Sequence, residues 1–307
     1  MKGRSIGIVG TGKLGADVAF MLAERNLAEV YLYDRDRARA RYLASDLTET
    51  VFGGGYSNSV TAVEQMSDLA RCDVILLAAG ERADSAGEVA SAEHFESNRP
   101  LVREVAEAFT GTSTLFVVAS EPVDLLTAEL ARQLRLPFSR VLGLGGVLDA
   151  YRVRHLLGEA MQFNPDYLRS QVVGPHDHRV IPLWDFTSIN GVPVRSILDA
   201  PVLAAVEKAL GERDGGSVPL GSSSRYTPAV ACVDLLDAVL RDDRRILSAS
   251  VLWENVYGIS GIAMGLPCVI GRLGAERVIV PGLEGEQQKR LAAAAADYGK
   301  ILKGARS

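Results

Sequence analysis

A chain of 307 residues with 48% hydrophobic and 23% charged side chains is long enough to bury a sizeable core and too apolar to remain disordered. Its net charge of -5 is mild and no block of like charges occurs, which argues against nucleic acid or an anionic membrane as partner. Cys72, Cys232 and Cys268 form no C-x-x-C pair, so neither a disulfide framework nor a metal site is expected. No apolar run is long enough to span a bilayer, and MKGRSIGIVG passes into a strand-like run without a signal-peptide core, so a cytoplasmic setting is expected.

In chain order, SIGIVG, AEVYLYD, CDVILLAAG, TLFVVAS and RVLGLG are apolar runs of strand length, separated by amphipathic segments such as LGADVAFMLAER and RPLVREVAEAF. Strands apolar on both faces and alternating with helices predict βαβ units and a doubly wound, Rossmann-type parallel sheet in an α/β fold. The rhythm changes near residue 146, where a boundary is expected between a dinucleotide-binding domain (1–146) and a second domain (147–307). In the second part LDAYRVRHLLGEA, the segment from Pro228 to Leu240 and the tail from Glu284 to Leu302 read as helices, while SQVVG and RVIPLW read as antiparallel strand material.

IGIVGTGKLG supplies Gly10, Gly12 and Gly15 as G-x-G-x-x-G between a strand and a helix. Such glycines permit a tight turn, close approach to a pyrophosphate and close helix–strand packing, and the helix N-terminus offers free N–H groups to the anion. Asp34 ends the second strand, about 20 residues beyond the last glycine, where a carboxylate binds ribose hydroxyls and repels a 2′-phosphate. NAD is therefore expected over NADP, although Arg35 and Arg37 stand close by. The expected cofactor set is Gly10, Gly12, Lys13, Leu14, Gly15, Asp34 and, after the third strand, Ala79 and Gly80. The plain alternative is a glycine turn beside a strand-end aspartate that binds nothing.

VVGPHDHRVIPLW carries His176 and His178, which taken alone fit an ordinary turn with two partly exposed histidines. Asp149 and Arg152, at i and i+3, project from one face of a helix and alone fit an ordinary ion pair.

In their order, these motifs resemble the L-lactate/L-malate dehydrogenase family over nearly the whole chain, most closely the malate dehydrogenases that are themselves like lactate dehydrogenase. LDAYRVR matches the family's L-D-x-x-R-x-R helix, and VVGPHDHRVIPLW stands at its G-E-H-G-D-S-x-V-P-x-W segment. SSSRYTPA and VYGISGIAMGLPCVIGRLGAERVI are similar to its C-terminal stretches, and EPVDLLT takes the place of N-P-V-D. The resemblance implies a Rossmann domain followed by an α+β catalytic domain, NAD as cofactor, a small carboxylate substrate, and a homodimer or homotetramer. It makes His176 the catalytic acid–base and gives His178 no chemistry. Asp149 would fix the imidazole tautomer, and Arg152 would hold the substrate carboxylate with two parallel bonds.

Three stretches depart from the family. The loop GERADSAGEVASAEHFESN has Arg82 as its one arginine and places Ser91 near the family's carbonyl-polarising arginine; its acids are Glu81, Asp84, Glu88, Glu93 and Glu96. Glu121 replaces the family's asparagine, and a carboxylate there needs a cation or a proton, with Arg152 one candidate. Asp177, His178 and Arg179 flank His176, with Arg179 a candidate for the missing positive charge. These changes suggest a 2-hydroxy/2-oxo acid other than ordinary malate or lactate. The plainer version, which is preferred, has the loop folded away, Glu121 protonated or paired, and a substrate with a neutral side chain; the sharper version has an amino, guanidino or iminium group toward Glu121. Reduction of a C=N bond, and a catalytically silent NAD-binding protein, are the competing functions.

Overall fold

In the computed structural model, residues 4–81, 88–162, 167–214 and 225–304 are described. The first half runs β1 (Ser5–Val9), α1 (Lys13–Glu24), β2 (Glu29–Tyr33), α2 (Arg37–Gly54), β3 (Val60–Ala62), β4 (Val74–Leu77), α3 (Glu88–Ala108), β5 (Leu115–Val118), α4 (Val123–Leu134) and β6 (Val141–Gly143). The strands pair in parallel in the order β3-β2-β1-β4-β5-β6. Ile6 of β1 faces Val30 on one side and Val74 on the other. Every residue of β1, β4 and β5 is buried, as expected of strands covered by helices on both faces.

α1 buries Gly15, Val18, Ala19, Leu22 and Ala23, an apolar stripe at helical spacing. α2 buries a thinner stripe, Ala40, Ala44, Leu47 and Val51, and depends more on its ends. Asp36 caps it by accepting the Arg39 N–H at 3.1 Å, and Gly55 closes it at φ 71°. The helix expected from Arg99 starts earlier, at Glu88, and continues through Pro100.

The second half contains α5 (Gly145–Met161), β7 (Leu168–Arg169), β8 (Val172–Val173), β9 (Ile181–Pro182), β10 (Ser188–Ile189), β11 (Val192–Pro193), α6 (Ala200–Asp214), α7 (Tyr226–Arg241), β12 (Arg245–Leu252), β13 (Ala263–Gly271), β14 (Gly274–Val278) and α8 (Gly285–Gly304). SQVVG and RVIPLW form the antiparallel β8–β9 pair, with Val173 opposite Ile181. β12 adds antiparallel to β6 through Ser250 and Gly143, and β13 and β14 follow it, giving a nine-stranded sheet. The principal core accordingly runs from Ile6 and Leu76 through Leu235 and Ala249 to Leu291. A second, smaller core gathers Val153 and Leu157 of α5, Trp184, and Leu203, Val206 and Leu210 of α6. Residue 146 lies in the first turn of α5, directly behind β6.

The strand order reverses between β1 and β4, and in open α/β sheets ligands bind beyond the carboxyl ends of strands at such a point. Gly10, Ala79, Gly80, Ser120 and Glu121 all follow parallel strands at that edge.

Candidate active site

At the switch point Gly10 adopts φ +100°, and a Cβ on it would lie 2.5 Å from the Ala79 nitrogen. A Cβ on Gly15 would lie 1.9 Å from the Gly10 carbonyl oxygen, so α1 packs directly against the turn. Gly12 differs: nothing lies within 4 Å of where its Cβ would be. It is the N-cap of α1 and no side chain caps that end, which leaves open space in front of the positive end of the helix. Lys13 is exposed at the first helical position and Leu14 packs against the core. Pyrophosphate oxygens fit such a cradle.

Asp34 Oδ2 accepts from the Thr11 N–H at 2.7 Å and the Thr11 hydroxyl at 2.8 Å, and Oδ1 accepts from the Asp36 N–H at 2.9 Å. Partial burial favours the neutral acid, but these donors and nearby Arg39 outweigh it and hold the carboxyl below its usual range. A carboxylate offers about four lone-pair sites, so three accepted bonds leave capacity for a ribose hydroxyl. Of the neighbouring arginines, Arg35 pairs with Glu104 at 2.7 Å and Arg37 stacks 4.3 Å from the Tyr33 ring centre, while Arg39 stands 3.9 Å from Asp34 Oδ2. An ionised Asp34 with capacity for a ribose hydroxyl fits NAD.

Asn98 ties two strand ends together. Its Oδ1 accepts from the Glu81 N–H at 2.7 Å, and its Nδ2 donates to the carbonyls of Glu81 and Glu121, each at 2.9 Å. A side chain on Gly80, at φ +139°, would strike it, its Cβ lying 2.8 Å from Asn98 Oδ1.

α5 and the β8–β9 turn bring the remaining groups together. His176 Nδ1 lies 2.8 Å from Asp149 Oδ2, and Arg152 Nη1 donates to Asp149 Oδ1 at 3.0 Å. The His176 side chain is 9% exposed and that of Asp149 1%. Glu121 Oε1 lies 3.6 Å from the other imidazole nitrogen, Nε2. Burial alone would lower the His176 pKa; the charge and hydrogen bond of Asp149, supported by Glu121, overcome it and raise the pKa well above its ordinary value. Crowding favours neutral Glu121, but His176, the Val123 N–H and Arg152 prevail and its pKa is lowered.

Asp124 is a further buried acid that no motif in the sequence singles out. Buried at the start of α4, it accepts the His176 backbone N–H on Oδ2 at 2.7 Å and the Ser250 hydroxyl on Oδ1, fixing the segment that carries His176 to both α4 and β12. Burial pushes its pKa up to about 7 against the pull of those donors. An acidic residue within the apolar run EPVDLLT was the one available hint.

His178 is exposed. Arg179 does not turn toward His176: it chelates Asp177, at 2.6 Å through Nη2, and reaches Asp297 at 2.9 Å. The cation held nearest Glu121 is His176 rather than Arg152, whose shown bond is to Asp149. Arg82 and Asp84 lie outside the described residues, as do the side chains of Glu88 and Ser91. Glu81, Glu93 and Glu96 are exposed. Among the described residues no cluster of three or more His, Cys, Asp or Glu is placed to hold a metal, and no helix is long and apolar enough to cross a membrane.

A parallel sheet in this order, with a glycine turn opening a helix at its switch point, defines a Rossmann-type dinucleotide-binding protein. The chain belongs to the lactate/malate dehydrogenase family: residues 4–143 match its NAD binding domain, and residues 146–306 its alpha/beta C-terminal domain. It is thus an NAD-dependent oxidoreductase of the type acting on CH–OH groups, as the motif resemblance implied. A malate dehydrogenase of Flavobacterium johnsoniae is 33% identical over 298 residues, 94% of each chain. One of Staphylococcus saprophyticus is 29% identical over 303 residues, 95% of each. Among solved structures, Cryptosporidium parvum malate dehydrogenase shares the fold at TM-score 0.91, with 23% identity and 99% of both chains covered. The lactate dehydrogenase of the same organism, complexed with lactic acid and nicotinamide adenine dinucleotide, also gives TM-score 0.91, at 23% identity, over 100% of this chain and 99% of that one.

Proposed function

We propose that this protein transfers hydride between NAD and a 2-hydroxy/2-oxo acid, with His176 exchanging the substrate proton. The observation that carries this is the meeting on one buried carboxylate, Asp149, of an imidazole at 2.8 Å and a guanidinium at 3.0 Å. An ionised Asp149 only accepts, so the hydrogen sits on Nδ1 and Nε2 is left to face substrate. In reduction His176, as imidazolium, gives its proton from Nε2 to the carbonyl oxygen; in oxidation neutral His176 takes the hydroxyl proton. Arg152 would orient the substrate carboxylate by two parallel hydrogen bonds. Gly10, Gly12, Lys13, Leu14, Gly15, Asp34, Ala79 and Gly80 would hold NAD, which supplies the hydride carrier when bound.

In this reading residues 1–146 hold the cofactor and residues 147–307 present the acid–base pair. Free, buried Cys72, Cys232 and Cys268 support a cytoplasmic setting, and exposed Tyr42 and Phe52 on α2 support a homodimer or homotetramer. The curated relatives are named malate dehydrogenase, so a departure from malate draws no support from them and rests on Glu121. C=N reduction and catalytic silence gain nothing from the fold or the relatives. Comparing a 2-oxo acid with the ketone lacking its carboxylate tests the reading: the acid should be turned over and the ketone almost not, and equal rates would remove Arg152 from its role.

A further inference from the structure

Glu121 stands against the nitrogen of His176 that the Asp149 bond leaves available. Its Oε1 is 3.6 Å from Nε2 and its Oε2 accepts from the Val123 N–H at 3.1 Å. Its carbonyl is held by buried Asn98 at 2.9 Å, so backbone and side chain are both tethered. The side chain is nonetheless 51% exposed, against 1% for Asp149. Asp149 thus serves the closed side of the imidazole, and Glu121 the side open to solvent.

Charge balance gives this placement a consequence. An imidazolium at His176 and the guanidinium of Arg152 offset Glu121 and Asp149, with Asp124 a further acid behind them. Counting His176, Arg152, Glu121 and Asp149 alone, a monocarboxylate docked on Arg152 leaves one excess negative charge and a dicarboxylate leaves two; any charge on Asp124 adds equally to both. Like charges a few ångströms apart repel, the more so where bound substrate and cofactor exclude water, and a cation there is attracted.

We infer that Glu121 is a specificity-determining residue that rejects a second carboxylate near the reacting carbon and favours a 2-oxo acid carrying one carboxylate and a cationic nitrogen. This rests on the function proposed above, and it separates the chain from what the names of its relatives suggest. Selection operates by repulsion as much as by attraction, as specificity commonly does.

The test is NADH oxidation by wild type and Glu121→Gln at constant ionic strength with three substrates: oxaloacetate, pyruvate, and the guanidino 2-oxo acid obtained by replacing the α-amino group of arginine with oxygen. NADH binding, followed by fluorescence, checks that the variant folds. Wild type should rank the guanidino acid above pyruvate and pyruvate above oxaloacetate in kcat/KM. Glu121→Gln should raise the ratio of oxaloacetate to guanidino acid by about tenfold or more, chiefly through KM. Any change in His176 basicity acts on all three substrates and cancels in that ratio. An unchanged ratio, with NADH binding intact, would overturn the inference. Should wild type bind NADH and turn over none of the three, the proposed function fails, and calorimetric titration of the NADH-loaded protein decides the charge claim separately. Glu121→Gln should then tighten tartronate, a dicarboxylate, about tenfold relative to oxamate, a monocarboxylate; equal changes for both would overturn it.

Discussion

His176 and Asp149 meet at 2.8 Å although 27 residues separate them in sequence, and the pair is almost closed to water. Burial works against a charged imidazole, yet the Asp149 charge and hydrogen bond, with Glu121 beyond, raise the His176 pKa well above its usual value. Reduction needs the imidazolium, so its rate should stay level through neutral pH and fall as pH rises through the raised pKa. Oxidation needs the neutral ring and should rise over the same range. Asp149→Asn should move both transitions to lower pH and lower kcat by about 10²–10⁴-fold, measured as pH profiles in the two directions. The same shift has a stability consequence. The stabilisation from protonated His176 is fully present below its unfolded pKa of about 6.5 and is lost as pH rises through the folded value, which urea unfolding across that range would detect.

Gly12 and Gly15 should respond oppositely to one methyl group. Gly15→Ala places a carbon 1.9 Å from the Gly10 carbonyl oxygen and should lower Tm and weaken NAD binding together. Gly12→Ala meets no atom within 4 Å and should leave Tm nearly unchanged while weakening NAD binding by about tenfold or more, because the methyl enters the space assigned to the pyrophosphate. Thermal unfolding without cofactor and NADH fluorescence titration separate the two outcomes.

Arg152→Lys keeps the charge near Asp149 and loses the planar pair of donors. KM for a 2-oxo acid should rise by about 10–100-fold, with a smaller fall in kcat, as positioning of the carboxylate is lost. Initial-rate measurements at saturating NADH check this. A rise no larger than twofold would mean the substrate carboxylate docks elsewhere.

Asp124 is tested by stability. Asp124→Ala strips the acceptor from the His176 N–H and the Ser250 hydroxyl, and two buried unpaired donors should cost about 2–4 kcal/mol in urea unfolding at pH 7. In wild type its folded pKa of about 7 exceeds the unfolded value of about 3.9. Folding therefore takes up a proton between those values, and this group makes stability fall as pH rises from about 4 to about 7. That slope should be absent from the alanine variant.

Much of the cofactor half was legible because its signals are local. Apolar runs give β1, β2, β4, β5 and β6, and the glycine spacing gives the turn before α1. α2 is hard to read from sequence because Ala40, Ala44, Leu47 and Val51 make a weak stripe among charged residues, and its ends rely on the Asp36 and Gly55 caps. The extension of the sheet through β12 depends on Ser250 meeting Gly143, a pairing between distant segments that no local pattern announces. The site divides in the same way. Motifs in order point to His176, Asp149 and Arg152, which the fold brings into contact, and strand-end position points to Asp34, which lies against the glycine turn. The buried anchors Asp124 and Asn98 emerge only when strand ends are brought together, and the pairing of Arg179 with Asp297 of α8 required the packed C-terminal helix.

The most direct measurement compares wild type with His176→Asn in NADH oxidation driven by 2-oxo acids at pH 7, alongside NADH binding by fluorescence. The expected result is NADH bound equally by both proteins, with reduction about 10³-fold slower in the variant, since removing a positioned general acid costs about that much. A variant that reduces 2-oxo acids at the wild-type rate would contradict the assignment of proton transfer to His176.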